Sequence, residues 1–400
     1  VLDASRGEPF TADVAVSGGR IAAVETSYAG RGAEEIDAKG KLVTPGFVDI
    51  HTHYDGQVTW EERLQPSSGH GVTTAVMGNC GIGFAPCRKE DHLGLIKLME
   101  GVEDLPEPVL AAGIPWAWTS FPEYLNFLAG RRYDIDFGAQ LPHAALRVFA
   151  MGQRGIDREP ANADDLALMA ALAGEAMQAG AIGFSTSRSL NHRASDGRPT
   201  PTLTASEDEL TAIAGAMGKV GQGVIEIASD FADLEDECAR WRRVVKSSGR
   251  PLSVPVIQWH HAPDKAGKLL AWIDACADEG LPIAAQVFGR PVGMLLGFEL
   301  NFNPFSFCPS YRALARLTPE ARLTALKEPA LRARLIAEEP VVGPDDPPAV
   351  HMVRNWGAMF PLGNPPDYEP GPEKMIAAQA KARGVSPAEA AYDLLMEQDG

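Results

Sequence analysis

Long apolar runs, cysteine and positive charge are all scarce in this chain of 400 residues, and each scarcity excludes something. No apolar stretch is long enough for a helix to cross a bilayer, so no membrane role is expected. Cys80, Cys87, Cys238, Cys276 and Cys308 are odd in number and widely scattered. That is no disulfide framework, and it points to a reducing cytoplasm. Lysine and arginine number 36 against 53 aspartates and glutamates, a net charge of −17. A phosphate-binding protein needs a basic surface, so nucleic acid is not an expected partner. What is present is an ordinary globular composition, 45% apolar and 22% charged. The length asks for a large α/β barrel or for two ordinary domains.

Residues 13–24 read as two short strands around Gly18-Gly19. At Pro45-Gly46 the pattern changes, and Phe47-Val48-Asp49-Ile50 is a short apolar strand ending on two histidines. Strand and helix patterns then alternate. Strands are expected at 71–77, 146–151, 181–186, 223–228, 252–258 and 282–287, with helices at 164–178, 207–217 and 268–279. Such alternation over this length predicts a parallel sheet closed into a (β/α)8 barrel. The stretch from 302 to 372 is proline-rich and irregular, and is read as a long excursion near the barrel mouth.

The candidate chemistry lies just after the predicted strands. His51 and His53 are two apart, so an extended strand turns both imidazoles to one side, where they can grip one divalent ion. On that spacing alone, a hydrogen-bonded strand cap explains them as well. Cys80 follows the 71–77 strand between glycines that let the backbone approach a ligand. Alone it would be a small core residue; beside two histidines it becomes a thiolate ligand candidate. His260 and His261 follow the 252–258 strand, where alternation turns one of them toward a metal. Zinc is the ion such donors prefer.

These residues carry a family resemblance. Thr44-Pro45-Gly46-Phe47-Val48-Asp49-Ile50-His51-Thr52-His53 resembles the first barrel strand of the amidohydrolase superfamily. Gly78-Asn79-Cys80-Gly81, Gly183-Phe184-Ser185-Thr186-Ser187, Ser206–Leu210 and Pro255–His261 are similar to its N-acyl-D-amino-acid deacylase (D-aminoacylase) branch. The resemblance implies a metal-dependent (β/α)8 TIM barrel over 44–400 beside a small β-sandwich begun by residues 1–43. It implies one or two zinc ions on His51, His53, Cys80 and His260. Cys80 would take the bridging place that a carboxylated lysine fills in many relatives. The chain is consistent with that, having no lysine between Lys97 and Lys219.

Three departures accompany the resemblance. Ile225-Glu226-Ile227-Ala228 lacks the histidine expected at the fifth strand. Glu226 would replace it as an oxygen ligand or serve as a partner behind the ligands, and both readings stand. The general-base aspartate of the eighth strand has no match, and is expected beyond residue 400 with the rest of both domains. The lysine and tyrosines that recognise the substrate carboxylate are replaced by Ala262-Pro263 and by Gln286–Arg290. Arg290 is therefore a candidate anion contact or a surface arginine. Arg188, His192 and Arg193 lie in a loop after a strand, where substrate contacts gather, although a solvated loop accounts for them too. His143 is placed at the amino end of the 146–151 strand, the stability face.

The expected activity is hydrolysis of a linear amide, an N-acyl amino acid or related N-acyl amine, by metal-activated water. The expected partner is a small-molecule amide, with a homo-oligomer as one arrangement. A cyclic amidase of the hydantoinase or dihydropyrimidinase kind would want the bridging lysine. A scaffold without activity would not need His51, His53, Cys80 and His260 together.

Overall fold

The computed structural model describes residues 1–5, 7–288, 292–344 and 346–397. Strands β1 (Asp13–Ser17) and β2 (Arg20–Glu25) pair as an antiparallel hairpin, with a register shift at Ala15/Val16. The next seven strands form one parallel sheet in chain order: β3 (Phe47–Asp49), β4 (Val72–Met77), β5 (Asp136–Pro142), β6 (Gly183–Arg188), β7 (Val224–Ser229), β8 (Leu252–Pro255) and β9 (Ile283–Gln286). Each neighbouring pair is parallel, as crossover helices require. Sequential order in one parallel sheet is the winding of a (β/α)8 barrel.

The helices that cover it are α1 (His92–Glu103), α2 (Glu107–Gly113), α3 (Phe121–Ala129), α4 (His143–Met151), α5 (Gln153–Ile156), α6 (Ala163–Ala179), α7 (Glu207–Val220), α8 (Leu234–Ser248) and α9 (Pro263–Asp278). Local chemistry starts and stops them where the residues dictate. Asn162 accepts from the Asp164 and Asp165 amides, Asp165 reaches back to the Asn162 amide, and Gly180 closes α6 in the left-handed region. β6 and β7 are buried along most of their length, which is why their residues read as continuous apolar or small-residue runs.

The third barrel strand is a correction. Leu146–Met151 is the body of α4, not a strand, and β5 lies earlier, over Asp136–Pro142. Glycine, glutamine and proline in β5 obscured a strand whose last four residues are buried. In α4, Ala144, Ala145, Leu146, Val148 and Met151 are all buried, so the helix shows a continuous apolar run in place of a clean period. His143 consequently follows the carboxyl end of β5, not the amino end of a strand.

Residues beyond β9 build small cores of their own. α10 (Pro309–Arg312), α11 (Pro319–Leu326), α12 (Pro329–Ala337), α13 (Ile376–Arg383) and α14 (Pro387–Met396) are short. Phe298, Phe305, Cys308, Leu335 and Tyr392 pack in one cluster, and Ile376, Ala380, Ala390 and Ala391 in another. This excursion meets the barrel loops where the Ala349 amide donates to Asn191 Oδ1 at 3.0 Å. No described helix is long and apolar enough to cross a membrane.

Candidate metal centre

The end of β4 fixes the site. Gly78 and Gly81 both adopt positive φ, 78° and 70°. A Cβ at Gly78 would lie 2.3 Å from the Gln140 carbonyl oxygen, and one at Gly81 would lie 2.9 Å from Thr186 Cα. Only glycine lets this turn press against β5 and β6. Between them Asn79 donates to the Thr52 and Val76 carbonyls and accepts from Gln140 Nε2 at 2.6 Å. The Gly81 amide donates to Ser185 Oγ at 2.9 Å, and the Cys80 amide donates to Glu226 Oε2 at 2.9 Å. Cys80 itself is held at φ 56°, a left-handed conformation that a non-glycine residue keeps only when its surroundings insist.

β3 delivers the histidines onto that turn. His51 Nε2 lies 3.2 Å from Cys80 Sγ, while its Nδ1 lies 3.1 Å from Gln286 Oε1. Potential ligand atoms of His51, His53 and Cys80 lie within 4.8 Å of one another. His53 Nε2 lies 3.1 Å from Glu103 Oε1, at the end of α1. Two buried polar atoms here have no partner, His53 Nδ1 and Glu226 Oε1. The latter lies 3.9 Å from His51 Nδ1.

Protonation states favour a cation. Burial, with the neighbouring His53, pushes His51 down to about 4, and burial pushes His53 down to about 4. Both are therefore neutral near pH 7, the ligating form. Burial, and then the Glu226 carboxylate, push the Cys80 thiol well up, so its thiolate needs a positive ion close by. Burial also raises Glu226 to about 8, and Glu103 and Asp55 to about 7. Two imidazoles, a thiol and orphaned buried acceptors fit a borderline-soft divalent ion.

The other expected residues are placed differently. Glu226 is buried and accepts from the Cys80 amide, and its second oxygen has no hydrogen-bond partner. His260 and His261 are exposed beyond β8 and lie outside the cluster of three; His261 stacks on His351 with ring centroids 4.1 Å apart. Arg188 is tied to Glu237 at 2.8 Å and to the Ala205 carbonyl. His192 is half-buried beside Ser187, its Nδ1 2.7 Å from the hydroxyl. Burial, and then the imidazoles of His53 and His51, push His192 down to about 3. Arg290 lies outside the described residues.

Glu103, Gln286 and Asp55 were missed. Asp55 is buried and accepts from the Gly78 amide at 3.1 Å. The signals were faint: Asp55 is two residues beyond His53, and Gln286 ends a strand. His143 was misread, for it joins Thr186 Oγ1 and Glu209 Oε1, each at 2.8 Å, and Arg147 pairs with the same glutamate.

A (β/α) barrel whose strand ends gather imidazole and thiol donors at one point defines the class: a barrel with a metal-binding mouth. The chain belongs to the amidohydrolase family, which matches residues 34–342. An N-acyl-D-aspartate deacylase of Alcaligenes xylosoxydans xylosoxydans is 30% identical over 263 residues, covering 65% of this chain and 47% of that protein. A D-aminoacylase of the same organism is 29% identical over 261 residues, 65% of this chain and 49% of that protein. Among solved structures, a D-aminoacylase mutant in complex with copper chloride superimposes with a TM-score of 0.57 at 28% identity, over 70% of this chain and 54% of that one. The resemblance to the N-acyl-D-amino-acid deacylase branch therefore stands, as does the barrel fold. The chain spans about half the length of the curated relatives it matches, 47% and 49% for these two.

Proposed function

We propose that the protein is a zinc-dependent hydrolase of a linear amide, an N-acyl amino acid or related N-acyl amine. The observation that carries this is the convergence of His51, His53 and Cys80 within 4.8 Å at the carboxyl ends of β3 and β4. The likeness to deacylases supports the amide class. Zinc, when bound, supplies Lewis acidity toward an amide carbonyl and brings the pKa of water toward neutrality.

The chain's own residues do the rest. His51, His53 and Cys80 would hold the ion, and Gln286 orients His51 by accepting its Nδ1–H. Glu226 keeps Cys80 in its left-handed turn. Ser187 Oγ accepts from the Ser189 amide at 3.3 Å, and with its own proton given to His192 Nδ1, 2.7 Å away, it would fix the Nε2–H tautomer. That leaves Nε2–H of a neutral imidazole free to donate to a substrate oxygen. All five cysteines are free, which supports a reducing, cytoplasmic setting.

The test uses the full-length protein: zinc content after purification, then turnover of N-acyl-D-amino acids, N-acyl-L-amino acids and N-acyl amines with and without a chelator. Stoichiometric zinc and chelator-sensitive hydrolysis are expected. Protein without zinc, or hydrolysis indifferent to chelation, would sink the reading.

A further inference from the structure

The turn that leaves β6 takes its order from the neighbouring strand. β6 and β7 stay in register to their last residues, with Arg188 opposite Ser229. Ser189 and Asp230, the next residue on each, therefore emerge side by side. Asp230 gives both carboxylate oxygens to that turn: Ser189 Oγ donates to Oδ1 and the Leu190 amide donates to Oδ2, each at 2.6 Å. Hydrogen bonds to an ionised acceptor are shorter and stronger than neutral ones.

The amides that lead to His192 are all committed. That of Ser189 goes to Ser187 Oγ, that of Leu190 to Asp230, that of Asn191 to Ser189 Oγ at 3.1 Å, and that of His192 to the Ser189 carbonyl at 3.3 Å. The acceptors on Ser187 and Ser189 are local, and only Asp230 reaches in from another strand end. The Ser189 hydroxyl serves twice, since it donates to Asp230 and accepts from Asn191. Without the carboxylate these amides lose their one acceptor outside the turn.

Asp230 is itself held in place. Lys265, on α9, donates through Nζ to the Asp230 carbonyl. Phe231, the next residue, is buried at φ 45°, a left-handed conformation that a bulky side chain keeps only under constraint. Such strain gathers where geometry serves function, and here it directly follows the residue that reaches across. At the other end of the turn His192 lies within electrostatic reach of His53 and His51, on the metal side.

We propose that Asp230 is a positioning residue of the active site: by ordering the 189–192 turn it holds His192 where the imidazole can meet a substrate oxygen at the metal centre. This rests on the hydrolase reading above. If Asp230 merely steadied the barrel, its loss would act alike whatever residue occupied position 192. Acting through His192, its effect on turnover vanishes once that imidazole is gone.

The experiment uses the full-length zinc-loaded protein as wild type, H192A, D230A, D230N and the double variant H192A/D230A. Zinc content and unfolding temperature are measured for each. So are kcat and KM on whichever N-acyl-D-amino acid, N-acyl-L-amino acid or N-acyl amine the wild type hydrolyses fastest. H192A should lose about a hundredfold in kcat, the usual cost of one donor to a developing oxyanion. D230A should lose about tenfold, mostly in kcat, with its zinc unchanged. D230N, whose amide oxygen still accepts one of the two bonds, should recover part of that loss. The double variant should match H192A within about twofold. If D230A does not fold, S189A stands in for it in both backgrounds, since it removes one donor to the carboxylate and the acceptor of the Asn191 amide.

Wild-type turnover in D230A or in H192A would overturn the proposal. So would a double variant slowed by the product of the single losses, or a D230A that has lost its zinc. A wild type without zinc, or without hydrolysis of any of these compounds, fails the hydrolase reading and takes this proposal with it. An active, zinc-bearing wild type with independent losses fails this proposal alone.

Discussion

At the ends of β3, β4 and β6 the polar groups are locked together; beyond β8 the two histidines stand in the open. On the near side Asn79 spends its amide on two carbonyls and a glutamine, Ser185 takes the Gly81 amide, and Glu226 takes the Cys80 amide. On the far side the segment after β8 is held by an isolated bridge between Trp259 and Ala262, and His260 is exposed. Both sides bear histidines at strand ends, yet among the described residues only the near side brings such donor atoms within 4.8 Å of one another. What separates them is whether the backbone beneath has already been ordered, which lowers the cost of bringing donors to one point.

The largest effect should come from breaking the near side at its thiol. Cys80→Ala should weaken zinc binding roughly a thousandfold, about 4 kcal/mol, read by chelator competition; unchanged metal content would return Cys80 to the core. Behind the same strand ends, Glu209→Gln should cost about 3 kcal/mol of stability in chemical denaturation, because Arg147 loses a buried partner. Burial alone would raise Glu209, but the bonds from His143 and Arg147 hold it down to about 2. The unfolded carboxyl titrates near its ordinary 4.5, so the unfolded chain takes up the proton first as pH falls. The stability Glu209 gives is full above that value and is lost toward pH 2, and the variant should show a flatter acid limb in that window.

Gly81→Ala should destabilise by roughly 2 kcal/mol, since φ is positive and the methyl has no room beside Thr186. A smaller change is expected of Glu226→Gln, which still accepts from the Cys80 amide but, unlike the carboxyl, cannot give up a proton when a cation binds nearby. Metal affinity should fall about tenfold, about 1.4 kcal/mol, with little change in unfolding temperature; normal zinc affinity would leave Glu226 a backbone anchor only. His260→Ala is the control for the far side and should change zinc affinity less than about threefold, below 1 kcal/mol. A loss matching that of Cys80→Ala would erase the contrast and restore His260 as a ligand.

The contrast also explains what could be read from the residues. His51 and His53 were legible because a strand's period of two states which side chains share a face. Cys80 was legible through its glycines, each of which faces another strand too closely for a Cβ. β5 was not, because burial and not β-branching defines it, and α4 was mistaken for a strand since it is apolar on nearly every side. Glu103 was illegible for a different reason. In Glu100-Gly101-Val102-Glu103-Asp104 it looks like a solvated acidic turn, and only the packing of Asn301 and the 193–195 loop shows where it points. Glu226 was noticed as a possible oxygen donor, but its bond to the Cys80 amide joins residues 146 apart and leaves no local trace.

The left-handed backbone at Cys80 also limits what could ever replace it. Few side chains tolerate that conformation, chiefly glycine, asparagine and aspartate. Of these aspartate alone brings a charged donor, so the accessible exchange at this position is sulfur for a hard oxygen. Such a change would redirect the site from zinc toward manganese or magnesium. The turn that makes the thiol available thus sets the range of metals open to the fold's descendants.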